Sequence, residues 1–206
     1  MNKNLEFWQG SFGTQYIERN QPTHEMLSSV SLMFANILKN LSGKPLNSIL
    51  EVGCNLGINL RALKNLTTAE IFGLEPFRQA VDICLQDKVV PQENLYHLPA
   101  QEMGKIDRKF DLVFTSGVLI HIPPQDLKKV TDHIVHLSNQ YVLCIEYFLD
   151  VEAEIPYRGH SEVLFKRDFG SFYMDQYPFF ECIDYGFIWK RLTGLDNLTW
   201  WLFEKR

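Results

Sequence analysis

The sequence predicts an α/β fold in which a mostly parallel sheet carries helices on both faces. Three observations lead to it. Short apolar, strand-like runs alternate with amphipathic segments of helical period across residues 45–150, as in successive βαβ units. Residues 140–148 (QYVLCIEYF) are apolar almost throughout, as expected of a strand buried on both faces. Two strand-like runs end the chain, which suggests an antiparallel strand added to the parallel set.

The elements follow in order. Residues 23–41 place Met26, Leu27, Val30, Met33, Phe34, Ile37, Leu38 and Leu41 at helical spacing. Thr23 is the expected N-cap and Gly43 the stop. Strands are expected at SILEVG, AEIFGLE, NLYHL, FDLVFTSG and QYVLCIEYF. Helices are expected at 57–66, 77–85 and 125–137, and a short one at 166–173. The closing strands are 182–190 and 198–205, joined by a turn at 194–197.

The chain has 206 residues, 46% hydrophobic and 22% charged, which suits one soluble domain and excludes a disordered chain. The expected layout is a helical cap or lid over 1–44 and the core over 45–206. The net charge is −5 with no basic run, so a nucleic-acid partner is not expected. No apolar stretch is long enough for a membrane span. The first residues lack the apolar region and cleavage site of a secretory signal, so cytoplasmic residence is expected. Cys54, Cys84, Cys144 and Cys182 form no CxxC pair and read as reduced, buried thiols. His133 and His136 share a helix without a third ligand at metal-site spacing, so no metal is expected.

The most informative segment is Ser48-Ile-Leu-Glu-Val-Gly-Cys-Asn-Leu-Gly57. A buried strand runs into a turn with Gly53 and Gly57, and a helix follows. Gly53 lets a ligand approach the backbone closely. Asn55 stands where another glycine would be expected and tolerates a left-handed backbone. The ligand then belongs at the carboxyl ends of the strands. The spacing fits the G-x-G-x-x-G of dinucleotide sites poorly. Glu51, two residues before Gly53, would repel a diphosphate but suits an ammonium or sulfonium. Glu75 ends the second strand, where a carboxylate can take both hydroxyls of a ribose. One ribose, one amine and no phosphate describe S-adenosylmethionine, whose product is S-adenosylhomocysteine.

With Glu51-x-Gly53-x-Asn55-x-Gly57, Glu75 and FDLVFTSGVLIHI in place, the sequence resembles class I S-adenosylmethionine-dependent methyltransferases. The resemblance implies a Rossmann-like three-layer sandwich with a seven-stranded, mostly parallel sheet whose last strand is antiparallel. It implies Gly53 and Gly57 at the methionine end, with Cys54 and Asn55 in the same turn. Glu75 and the adjacent Pro76 would lie at the ribose, Ala100 and Gln101 at the adenine, and Thr115 and Ser116 near the methionine. A narrower resemblance rests on FWQGSFGTQYIERN, VLIHI, EIPYRGHSEVLFKRDF and DNLTWWLFEKR. These are similar to methyltransferases associated with biosynthesis of pseudaminic acid, a nonulosonate sugar. The acceptor it implies is a small polar molecule of that kind or its precursor.

Other residues carry two readings each. Trp8, Phe12 and Tyr16 are a lid or simple packing. Tyr16 and Arg19 share a helical face, and Arg19 would pair with the cofactor's carboxylate. His121 is a general base or a histidine that satisfies backbone groups. Tyr157, Arg158 and His160 are a substrate loop, with Arg158 on a carboxylate and His160 as a second base, or a turn hinged at Gly159. Of Trp200 and Trp201, one is expected in the core and one facing outward, toward a partner subunit. Two rival functions stay open: a nicotinamide-dependent oxidoreductase, and a silent cofactor-binding subunit. The sequence does not set the oligomeric state.

Overall fold

The computed structural model describes residues 3–206. Residues 1 and 2 of the expected cap lie outside them. Three helices open the chain: α1 (Lys3–Gln9), α2 (Ser11–Arg19) and α3 (His24–Leu38). Thr23 caps α3 as its side chain accepts the Met26 N–H, a contact typically worth about 1 kcal/mol.

The core then alternates β1 (Ser48–Val52), α4 (Ile58–Leu63), β2 (Glu70–Leu74), α5 (Arg78–Gln86), β3 (Leu95–Tyr96), β4 (Phe110–Ser116), α6 (Pro124–Leu137) and β5 (Ser138–Glu146). A small hairpin of β6 (Ala153–Glu154) and β7 (Phe165–Lys166) follows, then α7 (Phe169–Gln176), β8 (Phe180–Ile188) and β9 (Leu198–Lys205). The seven-stranded sheet has the order β3-β2-β1-β4-β5-β9-β8, with β9 antiparallel to both neighbours. The expected mostly parallel sheet with an antiparallel last strand is therefore what forms.

Alternation along the strands sorts the core into two layers. Leu50, Phe72, Val113 and Cys144 face α6 and α7. Ile49, Ile71, Phe114 and Leu143 face α3, α4 and α5. Trp200 and Trp201 fall on opposite faces, and both are buried. The expected outward tryptophan is thus corrected: helices cover both faces of the sheet there.

Three further expectations shift. α7 begins at Phe169, because Asp168 caps it through the Ser171 N–H, and Lys166 belongs to β7. A helical turn, Lys190–Thr193, forms in the β8–β9 connection. Cys182 is only half-buried, unlike the other three cysteines.

Candidate active site

The strand order reverses between β1 and β4, and a crevice opens beyond their carboxyl ends. The chain leaves β1 through three left-handed residues, Gly53, Asn55 and Gly57. Gly53 is needed twice over. Its φ is +77°, and a Cβ there would meet Val118 Cγ2 at 2.6 Å. Asn55 adopts φ 45°, as its residue type suggests. Its side-chain Oδ1 accepts the Leu56 N–H at 2.9 Å, which secures the turn locally.

Two carboxylates flank this turn. Glu75 accepts the Phe77 N–H at 2.9 Å on Oε1 and the Asn55 N–H at 2.7 Å on Oε2. Lone pairs remain on both oxygens. Glu51 accepts from the Asn59 side-chain amide on Oε1, and among the described residues its Oε2 has no partner. Burial pushes Glu51 up to about 8 and Glu75 up to about 7. Among the described residues neither is in an ion pair.

A cavity of about 510 Å³ occupies the crevice. Helices α1 and α2 roof it. Trp8 packs edge-on against Tyr16 and His121, Gln9 donates to the Pro76 carbonyl at 2.7 Å, and Ile17 packs with Leu56 and Phe77. The packing expected of Trp8, Phe12 and Tyr16 is therefore present, and it covers one side of the cavity. Tyr16 and Arg19 both face the cavity from α2, and enclosure pushes the Tyr16 phenol up to about 12.

His121 forms part of the wall. Its Nδ1 lies 2.6 Å from the Val163 carbonyl. A carbonyl only accepts, so Nδ1 carries the proton and Nε2 is an acceptor. Burial pushes the imidazole down to about 4, so it is neutral near pH 7. Opposite stand Tyr147 and Asp196, joined at 2.7 Å, with Lys190 on the other oxygen of Asp196 at 2.8 Å.

The sequence-derived residues sort as follows. Glu51, Gly53, Cys54 and Asn55 line the cavity from the first turn, and Glu75 and Pro76 from the second. Ala100, Gln101 and Ser116 line it from the ends of neighbouring segments, and Tyr157 and Arg158 from the β6–β7 loop. Three do not reach it. Gly57 starts α4, where a Cβ would meet Val89 at 2.7 Å, so it serves packing. Thr115 is buried inside the sheet and only its neighbour Ser116 emerges. His160 is exposed and packs on Phe7 and Phe12 of the lid, outside the cavity. Tyr157 and His160 exchange backbone hydrogen bonds around Arg158 and Gly159, both with positive φ. That two-residue hairpin turn realises the hinge reading of the segment.

Sequence reasoning missed Asn59, the Tyr147–Asp196 pair and Glu146. Glu146 ends β5, is fully buried, and accepts the N–H groups of Val118, Leu119 and Ile120 at 3.1, 3.0 and 3.4 Å. It shapes the segment after β4 that walls the cavity. A signal existed: VLCIE, like SILE and FGLE, is an apolar strand that runs into a glutamate.

Residues 50–140, just under half of the chain, match the family model of the methyltransferase domain. No curated protein sequence matches the chain. Several solved structures share the fold. Magnesium protoporphyrin IX methyltransferase from Synechocystis PCC 6803, with bound S-adenosylmethionine, superposes with a TM-score of 0.71 at 13% identity, over 100% of this chain and 98% of that one. A Leishmania major S-adenosylmethionine-dependent methyltransferase gives 0.73 at 15% identity, over 98% and 81%. A Burkholderia thailandensis 1,6-didemethyltoxoflavin-N1-methyltransferase, with its substrate and S-adenosylhomocysteine, gives 0.67 at 13% identity, over 98% and 87%. The chain therefore has the Rossmann-like fold of S-adenosylmethionine-dependent methyltransferases, and residues 50–140 carry the match to their domain.

Proposed function

We propose that the chain is a single-domain, cytoplasmic methyltransferase that uses S-adenosylmethionine and modifies a small polar acceptor, an acidic sugar of the nonulosonate type or its precursor. One observation carries the cofactor reading. Glu51 and Glu75 are buried acids at one cavity, and among the described residues no cation pairs with either and one oxygen of Glu51 has no partner. A ligand with a positive centre and hydroxyl groups fits them, and a diphosphate does not. The acceptor class is supported by the sequence resemblance alone.

When bound, the cofactor supplies an electrophilic methyl group on its sulfonium. Glu51 Oε2 is the atom available to an ammonium, and the open lone pairs of Glu75 are available to ribose hydroxyls. Arg19, on the roof, takes a carboxylate, and Ala100 and Gln101 wall the adenine. Tyr157 and Arg158 stand on the acceptor side. A neutral His121 accepts a hydrogen bond through Nε2 and orients the acceptor. An imidazole held near 4 keeps a proton poorly, so alignment of the reacting atoms supplies most of the rate. His160 has no part in this reading.

Calorimetric titration with S-adenosylhomocysteine, with NAD as the control, tests it. Micromolar binding of the first and none of the second is the expected result. NAD binding alone overturns it in favour of an oxidoreductase. Binding of S-adenosylhomocysteine, with no labelled methyl transferred to any acid-sugar acceptor, points to the silent binding subunit.

A further inference from the structure

A second cavity, of about 420 Å³, adjoins the first. Tyr147, Lys190 and Asp196 line both, so the Tyr147–Asp196 hydrogen bond stands in their common wall. Phe148 and Phe187 form an apolar side of the second cavity, and both are about half exposed or more, at 48% and 63%. Large aromatic side chains grouped without cover mark a binding surface more often than chance exposure. Lys166, from β7, stands beside them with its Nζ 4.7 Å from the centre of the Tyr147 ring. Lys190 is already paired with Asp196 at 2.8 Å. Among the described residues no ion pair holds Lys166, although it lies within electrostatic reach of Asp196. Two lysines against one aspartate leave the cavity a net positive charge for a ligand, with Lys166 the less committed of the two.

We infer that the second cavity anchors the acceptor, and that the acceptor is a carboxylate with an apolar or C–H-rich face. Lys166 pairs with the carboxylate, and Phe148 and Phe187 carry the apolar face. The reacting end passes the Tyr147–Asp196 pair into the cofactor cavity. The inference rests on the methyltransferase reading above. Lys166 and Lys190 against Asp196 leave one net positive charge, which suits one negative charge, whereas a phosphate dianion would leave one charge unmatched. Arg158 is not the anchor. It is exposed, lies outside the second cavity, and its guanidinium sits 5.9 Å from the ring of Tyr157.

The test is a titration by NMR of the chain saturated with S-adenosylhomocysteine. The probes are N-acetylneuraminic acid and its uncharged methyl ester. The acid should bind at least tenfold more tightly than the ester. Lys166→Met should abolish that preference, Lys166→Arg should restore it, and Arg158→Met should weaken acid and ester alike. Calorimetry with S-adenosylhomocysteine runs beside each variant. Lost cofactor binding in the parent chain means that the methyltransferase reading has failed. With cofactor binding intact, three results overturn the anchor: equal affinity for acid and ester, no binding of the acid, or a preference removed by Arg158→Met and kept by Lys166→Met.

Discussion

The backbone N–H of Asn55 lies 2.7 Å from Oε2 of Glu75. The acid that closes β2 thereby holds the residue that turns the chain after β1. Asn55 sits at φ 45°, and its carbonyl accepts from the thiol of Cys84 on α5 at 3.1 Å. Three elements thus meet at one left-handed residue, and the cavity inherits its shape from that junction.

Replacement of Glu75 separates its two roles. Glu75→Ala removes the acceptor available to ribose hydroxyls and orphans the N–H groups of Asn55 and Phe77. Affinity for S-adenosylhomocysteine should fall by about 2–4 kcal/mol, the order of lost charge-assisted hydrogen bonds. Thermal stability should fall as well. A folded variant that binds as the parent does would remove Glu75 from the site.

Gly53 and Val118 form a second test, independent of any ligand. A Cβ at position 53 would meet the Val118 side chain at 2.6 Å, and the backbone there is left-handed. Gly53→Ala should destabilise the fold by at least about 1–2 kcal/mol from the backbone alone, with the clash in addition. Adding Val118→Ala should relieve the clash and leave the backbone cost. Urea unfolding of both singles and the double variant measures the coupling. Strict additivity would show that the two side chains do not compete for that space.

The buried acids make stability depend on pH. Burial raises Glu51 to about 8, and Glu75 and Glu146 to about 7, from an ordinary 4.5. Between those values the folded chain keeps protons that the unfolded chain has released. Stability then falls as pH rises, by at most about 1.4 kcal/mol per pH unit for each group. His121 opposes this only up to its ordinary 6.5, because its folded value is about 4. The carboxyls held below 4.5, such as Glu204, act at lower pH. From pH 6.5 to 8 the ligand-free chain should therefore lose stability, and Glu51→Gln should flatten the upper part of that slope. Unfolding curves across the range check it, and a stability that rises with pH there would contradict the burial argument.

His121 offers a spectroscopic check. Nitrogen-detected imidazole spectra should show the Nδ1–H tautomer at neutral pH, with no titration above pH 5. A midpoint near 6.5 would mean that the ring is solvated and free to act as a base, against the Val163 contact at 2.6 Å.

The parts of the site that were legible in the sequence are local. Glu51, Gly53, Asn55 and Glu75 sit on a strand, its turn and the next strand end, where period and residue type fix direction. Where a side chain points from a loop is set by distant packing. His160 follows Tyr157 by three residues, yet Phe7 and Phe12 of the lid hold it outside the cavity. Thr115 and Ser116 are neighbours, but strand alternation lets only one emerge. Strands as short as β6 and β7 have no period to read. Asn59 is the second residue of α4, and its tie to Glu51 exists only once the turn has closed. Glu146 was readable in principle, because its strand ends as those of Glu51 and Glu75 do.

The lid supplies the last prediction. Trp8 packs against His121 at 4.5 Å and Tyr16 at 5.3 Å between ring centres, and among the described residues its indole N–H has no partner. Side-chain contacts hold α1 and α2 down: Gln9 on Pro76, Asn4 on the His121 carbonyl, Thr14 on Gln79, the packing of Ile17, and that of Phe7 and Phe12 on His160 and Tyr157. Such an element should open far more readily than the sheet. Trp8→Ala removes the largest side chain between roof and wall and leaves Glu51 and Glu75 in place. Release of S-adenosylhomocysteine in stopped flow should then speed up at least tenfold, while the unfolding midpoint shifts by a few degrees. An unchanged release rate would mean that the ligand leaves by a route that α1 does not cover.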